Sequence, residues 1–207
     1  MNLRSPIICL ITGGQGEVAG LVREAASAGV DLVQIREPQL QGGALVSFVR
    51  QAVGEASHTD CQVLVNDRFD VAIAANATGV HLRSDSFPAT RVRSLAGPGF
   101  LIGRSVHSPA EAVAVTQQGG CDYLIFGTVF QSRNKPAGHP VAGLDALRKV
   151  CQSTTLPVIG IGGVSLENIA DVVAAGATGI AGISLFRTEG GIRSTVSKLR
   201  QRFDTSP

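Results

Sequence analysis

The sequence predicts an α/β fold closed as a single (β/α)8 TIM barrel over residues 1–207, and three observations predict it. Short, bounded apolar runs alternate with helix-patterned stretches along the chain. Eight such pairs can be drawn, and eight parallel strand–helix units can close on themselves. Four segments also recur two units apart: Gly29-Val30-Asp31-Leu32-Val33, Asn76-Ala77-Thr78-Gly79-Val80, Gly120-Cys121-Asp122-Tyr123-Leu124 and Gly176-Ala177-Thr178-Gly179-Ile180. Each leads into an even-numbered strand. Gly or Asn tolerates the left-handed residue that ends a helix. Ordinary helix termination accounts for these segments equally well, and an open doubly wound sheet is the alternative fold. Against the open sheet, no G-x-G-x-x-G opens the first helix, since Gly13-Gly14-Gln15-Gly16 has the wrong spacing.

The expected strands are Pro6–Ile11, Asp31–Glu37, Cys61–Asp67, Gly79–Leu82, Phe100–His107, Asp122–Phe130, Pro157–Gly163 and Gly179–Phe186. The expected helices are Gly16–Ala28, Gln41–Ser57, Phe69–Ala75, Ala89–Leu95, Pro109–Gln118, Gly143–Gln152, Leu166–Ala175 and Gly190–Phe203. Ser108-Pro109-Ala110-Glu111 carries a capping Ser, a Pro at the first helical position and a Glu at the third. Ser165 is placed to cap a helix beginning at Leu166. Ile192, Val196, Leu199 and Phe203 mark the buried face of the last helix.

Composition agrees with buried parallel strands. Apolar residues make up 44% of the chain but aromatic residues only 4%, so Val, Ile, Leu and Ala must build the core. Charged residues are 16%, against roughly 25% in an average globular chain. Twenty-five of the 207 residues are glycine, well above the average share of about 7%. A net charge of +2 supports neither nucleic acid nor a membrane surface as partner, and the scarce aromatics remove the stacking platforms of single-strand binders. Four dispersed cysteines without C-x-x-C fit a reduced, cytoplasmic protein. No signal-peptide pattern and no apolar window long enough for a membrane span is read. Homo-oligomerisation is left open.

In such a barrel the chemistry gathers at the carboxyl ends of the strands. Polar residues collect there: Gln34, Arg36 and Glu37; Asn66 and Asp67; His81; Arg104, Ser105 and His107; Thr128; Ser184. Each has a bland counterpart, because strands end where the chain meets water. Gln34 and Arg36 are two apart and share one strand face; the Arg suits phosphate or carboxylate, or else pairs with a nearby acid. Asn66-Asp67 offers an amide and a hard carboxylate oxygen for Mg2+, or Asp67 caps the next helix. Gly162 and Gly163 after the seventh strand let backbone N–H groups approach an anion, with Ser184 adding a donor, or they only permit a tight turn. His81 reads more simply as an interior hydrogen-bonded histidine than as a ligand. The connection from Gln131 to Ala142 is the longest and carries Lys135, a candidate mobile cation on a lid or a residue of a solvated basic loop.

Together these segments resemble the thiamine phosphate synthase superfamily, which also holds the thiazole tautomerases (TenI-like proteins). The resemblance is carried by Val33-Gln34-Ile35-Arg36-Glu37, Val65-Asn66-Asp67-Arg68, Gly79-Val80-His81-Leu82 and Ile102-Gly103-Arg104-Ser105-Val106-His107. It continues through Asp122–Phe130, Ile159-Gly160-Ile161-Gly162-Gly163 with Asn168, and Ala175-Gly176-Ala177. It implies a transferase joining hydroxymethylpyrimidine pyrophosphate to hydroxyethylthiazole phosphate with release of pyrophosphate, assisted by Mg2+. Gln34 and Arg36 would hold the pyrimidine and pyrophosphate side. Asn66, Ser105 and Lys135 would bind pyrophosphate, Asp67 would ligate Mg2+, and Gly163 and Ser184 would receive the thiazole phosphate. His81, His107, Thr128 and Gly162 complete the expected substrate-binding set.

The chain departs from the pattern at three places. Pro38 stands where the synthases have Lys, and Ser86 where they have a second Mg2+ carboxylate, with Asp85 as the nearest substitute. Thr128 stands where the tautomerases have a catalytic His. A synthase is the first expectation. A tautomerase-like isomerase and a non-catalytic thiazole-phosphate-binding paralogue are the alternatives.

Overall fold

The computed structural model describes residues 5–13, 18–132 and 140–204. Its strands are β1 (Ile7–Ile11), β2 (Leu32–Ile35), β3 (Gln62–Asn66), β4 (Gly79–Leu82), β5 (Leu101–Val106), β6 (Tyr123–Gly127), β7 (Val158–Ile161) and β8 (Gly179–Gly182). The helices are α1 (Val18–Ala28), α2 (Gly42–Ala56), α3 (Phe69–Ala74), α4 (Ala89–Ala96), α5 (Pro109–Gln118), α6 (Gly143–Ser153), α7 (Ile169–Ala174) and α8 (Gly191–Asp204). Every strand is parallel to its neighbours in chain order. β1 pairs with β8 from Ile7↔Gly179 onward, so the sheet closes into a barrel. The closed form, not the open sheet, is the architecture.

Alternation along each strand separates two layers. Ile7, Cys9 and Ile11 of β1 pack inside the barrel with Leu32, Leu64, Leu101, Tyr123 and Ile159. Ile8, Leu10, Val33, Val63, Val65, Leu124 and Phe126 point outward to the helices. Tyr123 is the largest of the interior side chains and is fully buried. It fits because β5 has glycine opposite: a Cβ on Gly103 would lie 2.0 Å from Tyr123 Cζ.

The recurring segments lie where the sequence places them. Gly29, Asn76, Gly120 and Gly176 all have positive φ, and each precedes an even strand. Two of them share a further device. Asp31 Oδ2 accepts from the Ile8 N–H at 2.6 Å, and Asp122 Oδ2 accepts from the Ile102 N–H at 2.7 Å. Each of these carboxylates is clamped by an arginine, Arg200 at 2.7 Å and Arg93 at 2.6 Å. These ties sit at the amino ends of the strands, the end associated with stability.

Most strands stop short of the expected ends. After β2 the Arg36 N–H donates to the Thr12 hydroxyl at 2.8 Å instead of joining the ladder. That hydroxyl in turn donates to Glu37 at 2.6 Å. Arg36, Asp67, His107 and Thr128 therefore lie on loops just beyond the ladder, and Ser184 opens a 3-10 turn, Ser184–Phe186. Helix α7 starts at Ile169, not Leu166. The Asn168 side chain accepts from the Ser165 N–H at 2.8 Å and donates to the Gly163 carbonyl at 3.0 Å, tying the intervening residues into a turn. The Ser108 cap is present, with its hydroxyl accepting from the Glu111 N–H at 3.2 Å.

Candidate active site

The carboxyl ends of the strands surround a cavity of about 1030 Å³. Strand alternation brings Gln34, Asn66, His81 and Ser105 onto its inner wall, and the loops add Arg36, Asp67 and His107 at the rim. A second cavity of about 310 Å³ lies beside it, lined by Gln131, Ser132, Gly163, Ser165, Ser184 and Thr188. Of the sequence-predicted residues, seven therefore meet in the large cavity, and Gly163 and Ser184 meet in the small one.

Gln34 is only 3% exposed. Its Nε2 donates to Asn66 Oδ1 at 2.9 Å, which leaves the Asn66 amide N–H groups for another partner. Gln34 Oε1 is buried with no hydrogen-bond partner among the described residues. A buried acceptor without a donor costs roughly 1–3 kcal/mol. Asp67 follows β3 in the left-handed region at φ 63°, a conformation Asp tolerates better than most residues. Its backbone N–H donates to the His81 carbonyl at 2.8 Å, fixing the turn that presents the carboxylate.

His81 is buried and both ring nitrogens are engaged: Nδ1 lies 3.2 Å from Tyr123 Oη and Nε2 lies 2.9 Å from Ser105 Oγ. Burial, modulated by Asp67 and Arg104, pushes its pKa down to about 3, so the ring is neutral at physiological pH. It is the interior histidine of the simpler reading. His107 Nδ1 donates to the Gly127 carbonyl at 2.8 Å; a carbonyl only accepts, so the proton sits on Nδ1. Burial holds the Cys121 and Cys151 thiols up to about 11 and Cys61 up to about 12. These thiols stay protonated at neutral pH and make poor nucleophiles.

Three expected residues line neither cavity. Thr128, just past the end of β6, is absent from both linings. It packs against Gly162, whose Cβ would lie 2.5 Å from Thr128 Cγ2, and Gly162 is spent on that contact. Asp85 is exposed and ion-paired with Arg83 at 2.6 Å. The other Arg83 nitrogen stands 4.0 Å from Asp67 Oδ2, so a guanidinium, not a second carboxylate, faces Asp67. Arg104 also lies off the site. It points outward and donates to the carbonyls of Ser84, Ser86 and Phe87, holding the loop after β4 from beneath. Lys135 lies outside the described residues.

The sequence reading missed two residues. Arg187 lines the large cavity, and its Nη2 fills the space beside Gly13, 2.7 Å from where a Cβ would be. It directly follows the end expected for the eighth strand, and extending the rim by one residue would have found it. Tyr123 enters the sequence argument only as a strand residue, because its link to His81 spans 42 positions.

A family model described as thiamine monophosphate synthase matches residues 8–186. The chain belongs to the thiamine monophosphate synthase family. A thiamine-phosphate synthase of Methanoculleus marisnigri is 42% identical over 192 residues, covering 92% of this chain and 90% of that protein. One from Chlorobium luteolum is 34% identical over 180 residues, covering 87% and 84%. Among solved structures, a thiamine phosphate pyrophosphorylase from Pyrococcus furiosus superposes with a TM-score of 0.84 at 31% identity, covering 96% of each chain. Membership in this thiamine monophosphate synthase family places the chain among the transferases of thiamine biosynthesis.

Proposed function

We propose that this chain is itself a thiamine-phosphate synthase, joining an aminopyrimidine methyl pyrophosphate to a hydroxyethylthiazole phosphate. The observation that carries the reading is the pair of adjoining cavities: one lined by Gln34, Asn66, Asp67 and Ser105, the other built on Gly163 and Ser184. The aminopyrimidine's pyrophosphate lies toward Asn66, Ser105 and Arg36, which offer N–H and O–H donors. The thiazole phosphate enters the smaller cavity, where backbone N–H groups of the Gly163 turn and the Ser184 hydroxyl donate.

In the reaction the bond between the pyrimidine methylene carbon and the pyrophosphate oxygen breaks, and its electron pair leaves with pyrophosphate. The thiazole nitrogen donates its lone pair to that carbon, forming the new C–N bond and a thiazolium. No proton need be removed. The protein's task is to hold the two partners in line and stabilise the leaving charge with fixed donors in a partly enclosed cavity.

The donor set bears on how Mg2+ would be held. Among the described residues no three His, Cys, Asp or Glu side chains cluster to form a protein cage. Of the lining carboxylates, Glu37 is engaged by the Thr12 hydroxyl, and Asp67 suits an ion that keeps water and takes substrate phosphate oxygens as its remaining ligands. Mg2+ bound there would neutralise charge on the pyrophosphate.

The test is turnover with both substrates and Mg2+, following pyrophosphate release and thiamine phosphate together. Stoichiometric formation of both is expected. Intact binding of thiazole phosphate without turnover would sink the proposal and leave a binding paralogue. Interconversion of thiazole carboxylate phosphate isomers without pyrophosphate would make the chain a tautomerase.

A further inference from the structure

We infer that Tyr123 and His81 form a positioning relay that aims the Ser105 hydroxyl proton into the large cavity. The inference rests on the synthase reading only for the identity of the anion that receives this proton. Tyr123 Oη is buried in the barrel interior, and among the described residues its one hydrogen-bond partner is His81 Nδ1 at 3.2 Å. A phenol has one proton to give. If that proton points anywhere but Nδ1, it is left unpaired in an apolar interior. Nδ1 is therefore the acceptor, and the neutral ring carries its proton on Nε2. From there it donates to Ser105 Oγ at 2.9 Å.

That donation decides what Ser105 presents. With its oxygen already accepting from His81, the hydroxyl has its own proton free for the cavity it lines. The opposite arrangement has Nδ1–H pointing at Tyr123 and the Ser105 proton pointing at Nε2. It strands the phenol proton and turns serine lone pairs toward an incoming anion. Tyr123 and His81 thus choose between a serine that attracts pyrophosphate and one that repels it. Gly103 belongs to the device, because only a residue without a Cβ admits the Tyr123 ring at this depth.

The experiment reads the relay directly. Nitrogen-15 NMR of the wild-type protein should show His81 as the neutral tautomer protonated on Nε2; protonation on Nδ1 overturns the inference without any variant. Binding of inorganic pyrophosphate in the presence of Mg2+ then measures the consequence by calorimetry. Tyr123→Phe keeps the ring and should weaken binding roughly tenfold. The same change made in a Ser105→Ala background should cost nothing further, because its effect passes through that hydroxyl. Equal losses in both backgrounds mean that Tyr123 acts through packing alone, and overturn the relay. A wild-type protein that leaves pyrophosphate unbound overturns the synthase reading, while the tautomer still decides the relay.

Discussion

Gln34 combines a good hydrogen bond and an unmet acceptor in one side chain. Its carbonyl oxygen is buried without a donor, while its amide holds Asn66 in place. Gln34→Met removes an unsatisfied acceptor and a good hydrogen bond together, two effects of opposite sign and similar size. Its melting temperature should stay within a few degrees of wild type, whereas KM for the pyrimidine pyrophosphate should rise about tenfold. Steady-state kinetics beside a thermal melt separates the two. That Gln34 and Arg36 share a face was legible from their spacing, and so was the general place of Asn66, Asp67 and Ser105 on one rim. The fate of Asp85 was not. Sequence gives the order of Arg83 and Asp85, but not that the guanidinium reaches the carboxylate two residues on and stands before Asp67. Tyr123 was hidden for a related reason, since the contact that gives it a role crosses from β4 to β6.

At the scale of elements, the ties at the amino ends of the strands are worth testing. Asp122 accepts from the Ile102 N–H of β5 while Arg93 clamps it, and Arg93 also reaches the carbonyl of Phe100. Asp122→Ala leaves a strand N–H and a guanidinium without their acceptor. It should lower stability by about 1–3 kcal/mol, as read from urea denaturation. The turnover number of the folded fraction should be unchanged, because the barrel separates this end from the cavities. The Gly-x-Asp repeat that announces these ties was readable in the sequence. The strand ends were not, because the residues after a strand do not reveal which partner takes the next N–H. Only the structure shows Thr12 capturing the N–H that would have extended β2, or Asn168 folding residues 165–168 into a turn ahead of α7.

Across the whole molecule, stability should depend on pH through the buried His81. The folded state holds its pKa down to about 3, while the unfolded chain keeps the ordinary value near 6.5. Between these values the unfolded state binds the extra proton, so stability is complete above about pH 6.5 and falls as the pH drops toward 3. Glu55, Asp70 and Glu167 are also shifted down, and they erode stability only as the pH falls through the carboxylate range. A melt series from pH 7 to pH 5 should therefore show a decline that His81→Asn largely removes. A decline that persists in the variant assigns it to other groups.

The seam where the barrel closes has a consequence for exchanging parts between relatives. Arg187, on the loop after β8, occupies the space beside Gly13, on the loop after β1, where any side chain would intrude. The first and last loops of the chain are thus one hereditary unit, although nearly the whole sequence lies between them. A chimera that imports only one of them brings a collision or a gap into the mouth of the barrel. The two travel safely only as a pair.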